Sequence, residues 1–144
     1  MTYEKLDELK DQGSDFEERI DDLNGRLGEL QEKLKALEGA LSEDLSEEVQ
    51  DELETIREEK EEEQRELAEE LDSLLAEAQE AYEEANELNE QNESDANSVA
   101  LLDSAGIDVK SMWSSITERR QQLSQMLMEY GGLVRRIESL RGRI

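Results

Sequence analysis

Residues 23–41 read LNGRLGELQEKLKALEGAL, with leucine at every third or fourth position. This spacing places the leucines along one narrow stripe of an α-helix, while most residues between them are charged or small. Steps that alternate between three and four are typical of helices that pack along a seam, as in a coiled coil. The same rhythm extends back to Leu6, so the N-terminal region is predicted to form one long helix that ends near Gly39.

A second helix is predicted after a short break. Ser42 or Ser46 can cap this helix, which runs to about residue 93, and the two glutamates after Ser46 suit the positive end of a helix dipole. The apolar stripe of this helix is predicted to begin with Val49, Leu53 and Ile56, and it is then interrupted by ten polar residues before Leu67. Because eleven residues make three helical turns, the stripe is expected to resume on nearly the same face.

The run NEQNESDAN at 89–97 is rich in turn-forming residues and predicts a loop. A short helix over 98–105, closed by Gly106, is predicted to follow it. Asp108 is well placed to cap the last helix, which presents apolar residues at helical spacing as far as the C-terminus.

These elements predict an all-α fold, an elongated antiparallel three-helix bundle or coiled-coil hairpin with a C-terminal helix, because short connections make neighbouring helices antiparallel. The predicted division is an acidic helical hairpin over 1–93, a loop and short helix over 94–107, and a basic amphipathic helix over 108–144 that packs back on the second helix. A narrow bundle leaves apolar surface for a second copy to cover, so a homo-oligomer is expected. The predicted core seam consists of Leu23, Leu27, Leu30, Leu34, Leu37, Leu71, Leu74, Trp113, Ile116, Leu123 and Leu127.

The composition argues against most kinds of catalytic site. The chain has 41 acidic and 16 basic residues, a net charge of −25, and contains no His, Cys or Pro. Without His it lacks the usual general base near neutral pH, and without Cys it has no thiolate chemistry. No calcium-binding or phosphate-binding loop motif occurs in the sequence. We therefore predict a protein that is not an enzyme and that holds no metal or cofactor.

The charge is distributed unevenly, and the C-terminus is basic. Residues 42–93 carry a net charge of −20, whereas residues 109–144 carry +4. Arginines interleave with apolar residues at the C-terminus, which predicts a docking surface for a protein partner. The predicted docking residues are Arg135, Arg136, Ile137, Leu140, Arg141, Arg143 and Ile144. The alternative is that these arginines neutralise the acidic second helix. The acidic body disfavours nucleic acid, since it repels phosphates.

The leading functional hypothesis is a non-enzymatic interaction protein that acts in assembly, as a scaffold, spacer or chaperone-like partner. In charge layout the sequence resembles the scaffolding proteins of tailed viruses, which join an acidic helical body to a basic amphipathic C-terminal docking helix. An alternative is a helical accessory or substrate protein of a type VII-like secretion system, because Tyr3-x-x-x-Asp7 matches the Y-x-x-x-[DE] element of such substrates, although no W-x-G turn accompanies it. A third and less favoured alternative is a membrane-peripheral organiser that lays its C-terminal helix on anionic lipid.

The first twenty residues are charged throughout, so no signal peptide is expected. No stretch approaches the roughly 18 consecutive apolar residues of a membrane-spanning helix. The sequence therefore predicts a cytoplasmic protein, or one associated with a virion or a secretion system without a cleavable signal peptide.

Overall fold

The computed structural model describes residues 3–144. It contains three α-helices, which are α1 Lys5–Leu41, α2 Glu47–Ser104 and α3 Lys110–Gly142. No strand occurs in this part of the chain, and each helix packs against the other two. The predicted all-α three-helix bundle is therefore confirmed.

The helix ends follow local sequence signals. The Ser46 side chain accepts a hydrogen bond from the Val49 backbone N–H at 3.4 Å, as an N-cap does. At the start of α3, the Asp108 carboxylate accepts from the Lys110 N–H at 3.2 Å. Gly106 follows α2 with a φ of +82°, a left-handed conformation that suits glycine. Ser46 and Gly106 therefore act as predicted, whereas Asp108 lies one residue before Val109, which is the N-cap of α3.

The long helix α2 is the element that the two others share. Its 58 residues span about 87 Å at 1.5 Å per residue, whereas α1 and α3 have 37 and 33 residues. Both shorter helices run antiparallel to α2, as four cross-helix ion pairs at 2.7–2.9 Å show. These pairs join Arg19 to Glu77, Arg26 to Glu70, Arg120 to Glu93 and Arg141 to Asp72.

The predicted loop at 89–97 is wrong, because α2 continues through this run to Ser104. The predicted short helix over 98–105 is simply the end of α2. Leu88, Asn92, Ala96 and Val99 are all buried and keep the spacing of three and four. The polar run is therefore a continuation of the helical seam, in which one position is asparagine.

The main core lies where all three helices are side by side. Small residues on α2, among them Ala78, Ala81 and Ala85, are at most 3% exposed and let the partner helices approach closely. Seven of the predicted seam residues are buried, namely Leu23, Leu27, Leu30, Leu71, Leu74, Ile116 and Leu123. The other four are half-buried, namely Leu34, Leu37, Trp113 and Leu127.

At each end of the molecule only two helices remain. Near one end α3 stops beside Gln31, whose side chain donates to the Arg143 carbonyl at 3.1 Å. Leu34 and Leu37 lie beyond this point and therefore lack a third helix to cover them. Near the other end, Tyr3 lies against Asp95, so Trp113 lies beyond the start of α1. No helix of residues 3–144 is long and apolar enough to cross a bilayer.

Candidate functional site

The predicted C-terminal docking residues are divided between the core and the surface, because two of the apolar ones belong to the core. Ile137 is 0% exposed and Leu140 is 7% exposed, and both pack in the main hydrophobic cluster. Ile144, at 37%, is the exposed member of the predicted apolar set. The amphipathic pattern was real, but its apolar face is covered by α1 and α2. The membrane hypothesis relies on this same helix, and it stays a prediction.

The C-terminal arginines bind groups of this same chain. Arg136 pairs with Asp21 at 2.7 Å, and Arg141 pairs with Asp72 at 2.9 Å, so α3 is linked to both other helices. The Arg143 guanidinium donates to the side-chain oxygen of Asn24 at 3.2 Å. Arg135 donates to the carbonyl of Gly131, one turn earlier in α3. These contacts favour the alternative in which the basic cluster neutralises the acidic helices.

We expect replacement of the four arginines by glutamine to lower the melting temperature at low salt and to preserve the fold. Each exposed ion pair contributes up to about 1 kcal/mol, and salt screens it. Circular dichroism melts at low and high salt measure the effect. The changed residues are Arg135, Arg136, Arg141 and Arg143.

A control variant removes the same amount of charge from exposed positions that make no cross-helix ion pair within residues 3–144. Its changed residues are Lys10, Lys33, Lys35 and Arg65. An equal loss of melting temperature in both variants would show that the C-terminal ion pairs have no special role.

A buried polar cluster, which sequence reasoning missed, joins the three helices where α1 begins. Asn92 is 0% exposed and donates to the Ile116 carbonyl at 3.0 Å. Its side-chain oxygen accepts from Arg119 Nε at 3.0 Å. The Arg119 guanidinium lies 4.0 Å from the centre of the Tyr3 ring, and Tyr3 donates its hydroxyl proton to Asp95. The cluster therefore fixes the register of α1 and α3 against α2.

The charges of this cluster are set by mutual contact. The hydrogen bond from Tyr3, with further help from Gln91 and Arg119, holds the pKa of Asp95 below its usual range. Burial, with Asp95 adding to it, raises the pKa of Tyr3 to about 12. At neutral pH the cluster thus pairs an ionised Asp95 with a neutral Tyr3 hydroxyl. Tyr3 is one of the two residues of the secretion-type element, and the secretion hypothesis stays a prediction.

The end formed by residues 32–66 is a two-helix projection, which we call the arm. Its helices are the last turns of α1 and the first five turns of α2, joined at residues 42–46. The arm carries fifteen acidic and five basic residues, a net charge of −10. Three of the basic residues pair with glutamates of α2 itself, in the pairs Arg57–Glu61, Lys60–Glu63 and Arg65–Glu62. Most arm carboxylates are therefore exposed to solvent.

The seam inside the arm differs from the prediction. The half-buried positions of α2 in the arm are Leu53, Glu54, Arg57, Lys60 and Gln64, and all of these except Glu54 continue the spacing of the buried seam. Most of these positions are polar, and the apolar stems of long polar side chains can lie over a hydrophobic surface. Within the described residues, the Arg57 Nε is buried and has no hydrogen-bond acceptor. The arm is thus packed less completely than the bundle.

Two apolar residues of the predicted stripe on α2 lie outside the observed seam. Val49 is 44% exposed and Ile56 is 39% exposed, so the prediction that the stripe passes through them is wrong. The helix keeps one register, set by its long buried portion, and this register turns Arg57 rather than Ile56 toward α1. Val49 and Ile56 share one exposed stripe of α2, two turns apart. Along it lie exposed glutamates that are four or seven residues apart, namely Glu48, Glu52, Glu59 and Glu63.

A groove of about 700 Å³ between α1 and α2 is also lined by charged residues. Two of them, Arg19 and Arg26, pair across it with Glu77 and Glu70 at 2.8 Å. Among residues 3–144 no group of three side chains is arranged to hold a metal ion. The ion pairs across the groove therefore link α1 to α2.

Comparison with protein-family models, curated proteins and solved structures finds no match for this chain. The fold and the site define an elongated three-helix bundle that carries an acidic two-helix arm.

Proposed function

We propose that the chain is a non-enzymatic helical interaction protein that acts in assembly, with the arm as its partner-binding element. The observation that carries this proposal is the exposed stripe of Val49 and Ile56, which is edged by four glutamates. It lies beyond the end of α3, where no third helix covers it. The bundle serves as the base that holds the arm.

The chemistry of the arm selects a kind of partner. Exposed apolar residues supply area that a partner can remove from water, and the flanking carboxylates attract positive charge. The matching surface is a helix or groove with apolar residues flanked by Lys or Arg. A second arm does not match, because it would bring another net charge of −10 into contact.

The incomplete seam of the arm supports the same role. A region with few buried apolar contacts opens at lower free-energy cost than a full core, and binding elements are drawn from such regions. Here the half-buried polar residues Arg57, Lys60 and Gln64 leave the arm adaptable. The bundle below it, with its buried leucines, stays fixed.

The test is quantitative affinity capture from cells that make the protein, with two arm variants. Val49→Gln/Ile56→Gln removes the apolar area and keeps the charge, whereas the second variant replaces the edging glutamates Glu48, Glu52, Glu59 and Glu63 by Gln. We expect both to lose the same partner, and added salt to weaken wild-type capture.

Matched controls change the bundle in the same chemical way. Met128→Gln alters an apolar residue that is 76% exposed on α3. A second control replaces exposed glutamates of the bundle, namely Glu80, Glu83, Glu87 and Glu118, by Gln. Capture that is unchanged in both arm variants would overturn the proposal, as would equal losses in the arm and control variants.

A further inference from the structure

The end of the molecule opposite the arm is nearly free of charge. We call residues 96–117 the apolar end. They contain only Asp103, Asp108 and Lys110 as charged residues, in a chain of which 40% is charged. The net charge of this segment is −1. No other stretch of this length in the rest of the sequence has so few charged residues, so this end differs chemically from the rest of the molecule.

The apolar end consists of two helices without a third. The last turns of α2 and the first turns of α3 enclose a small cluster made of Ala96, Val99, Val109 and Ile116, with Trp113 packed beside it. This cluster is too small to cover the larger side chains around it. Leu101 is 74% exposed, Ile107 49%, Met112 48% and Leu102 37%.

The backbone between α2 and α3, which carries Ile107, forms an ordered turn. The Gly106 N–H donates to the Asp103 carbonyl at 3.0 Å, and the Ile107 N–H donates to the Leu102 carbonyl at 3.1 Å. This pair of bonds is the Schellman pattern that closes a helix. A surface fixed in this way loses little conformational entropy when it is covered. The exposed apolar residues are thus arranged for contact.

We propose that the apolar end is the interface at which two copies of this chain associate. The charge distribution indicates that the partner at this end is a second copy of the chain. Two chains that each carry −25 repel wherever their acidic surfaces meet, and the apolar end is where that repulsion is smallest. A basic partner would gain little here, whereas a second copy presents the same surface, which has a net charge of only −1. Two such two-helix ends packed together make a four-helix arrangement with two-fold symmetry.

The size of the surface sets the strength of the association. Eighteen residues between 97 and 117 are exposed or half-buried, and only three of these are charged. A standard interface uses about 20–30 residues on each side, and two-fold packing engages part of these eighteen. We therefore expect a dimer that dissociates in the micromolar range, about 1–100 μM.

The arrangement has a consequence for the arms. Pairing at the apolar end points the two arms away from each other, at opposite ends of a rod. A dimer of this kind presents two binding elements at once, which raises its avidity for a partner that has repeated sites. The inference itself does not depend on arm binding, because it concerns a separate surface.

Sedimentation equilibrium across 1–300 μM tests the association. Wild type is expected to pass from a mass of 16.5 kDa toward twice that value. Leu101→Asp is expected to stay at the monomer mass with unchanged helical content, because Leu101 is on the surface. Met128→Asp is the matched control, since Met128 is 76% exposed on a different face, and it should associate like wild type.

Three results would overturn the proposal. The first is a wild-type chain that remains a monomer at 300 μM. The others are a dimer that survives Leu101→Asp and a dimer that Met128→Asp breaks to the same extent. The salt dependence of dimerisation is an independent test. Added salt screens the repulsion between the two acidic chains, so it should strengthen the dimer. A dimer that salt weakens would contradict an uncharged interface. Arm binding is expected to respond to salt in the opposite direction, so failures of the two proposals are distinguishable.

Single cysteines locate the contact, because the chain has none of its own. Ser104→Cys places a thiol at the end of α2, and Ser42→Cys places one at the exposed tip of the arm. With a short bismaleimide, Ser104→Cys should be cross-linked into dimers much faster than Ser42→Cys at the same concentration. Equal rates, or a faster reaction at the arm, would contradict association through the apolar end.

Discussion

Replacing Ile137 by alanine is expected to lower the free energy of unfolding by about 2–5 kcal/mol, because the change leaves a cavity in the core. Ile137 is 0% exposed and lies in the main cluster with Leu133 and Leu140. The matched change is Ile144→Ala, in the same helix-terminal segment but at a residue that is 37% exposed. For that variant we expect a change within about 0.5 kcal/mol.

Urea unfolding followed by circular dichroism measures both variants, provided that the slope with denaturant is the same as in wild type. The comparison decides between two uses of the C-terminal helix. A large effect at position 137 alone means that the apolar face stabilises the fold. Small and equal effects at both positions would mean that the apolar face of α3 is exposed, and they would support the predicted docking role of this face.

Replacing Tyr130 by alanine is expected to cost about 3–5 kcal/mol, the range for a buried aromatic residue. Tyr130 is 1% exposed, and its hydroxyl donates to the Leu9 carbonyl. Its ring also meets the Phe16 ring edge-on, with centroids 6.0 Å apart. One side chain thus joins α3 to α1. Tyr130→Phe keeps the ring and loses the hydrogen bond, so about 1 kcal/mol is expected.

The same residue predicts a response to alkaline pH. Burial, with Glu129 and Glu84 adding to it, raises the pKa of Tyr130 to about 12 from its usual value near 10. The folded protein therefore holds the phenolic proton more tightly than the unfolded chain, and stability falls as pH rises from about 10 to about 12. Tyr130→Phe should lose less stability over this interval. An identical pH dependence in both proteins would mean that this tyrosine ionises freely in the fold.

The arm and the apolar end give the two ends of the molecule opposite chemistry. The arm is strongly acidic and has an exposed stripe of Val49 and Ile56, whereas the other end is nearly uncharged and exposes Leu101 and Ile107. The bundle between them is held by buried leucines and by ion pairs such as Arg136–Asp21. Salt separates the proposed activities, because it should weaken binding at the arm and strengthen pairing at the other end.

Local chemistry in the sequence determined the helices and where they end. Leucines spaced by three and four predicted the stripe at Leu23, Leu27 and Leu30, and these residues are buried. Ser46 and Gly106 mark helix boundaries because a side-chain acceptor and a left-handed backbone are properties of single residues. Such signals act over one turn, so they can be read without knowing what the helix packs against.

The tertiary structure decided what covers each face. Asn92 looked like part of a loop, and it is instead a buried seam residue because Ile116 and Arg119, 24 and 27 positions away, satisfy its polar atoms. Ile137 belongs to an apolar face that could equally well contact a partner, and it is buried because α1 and α2 of the same chain pack against that face. An amphipathic pattern shows which face of a helix is apolar and will be buried. Which element buries that face depends on the helix lengths and their register, which are properties of the whole fold.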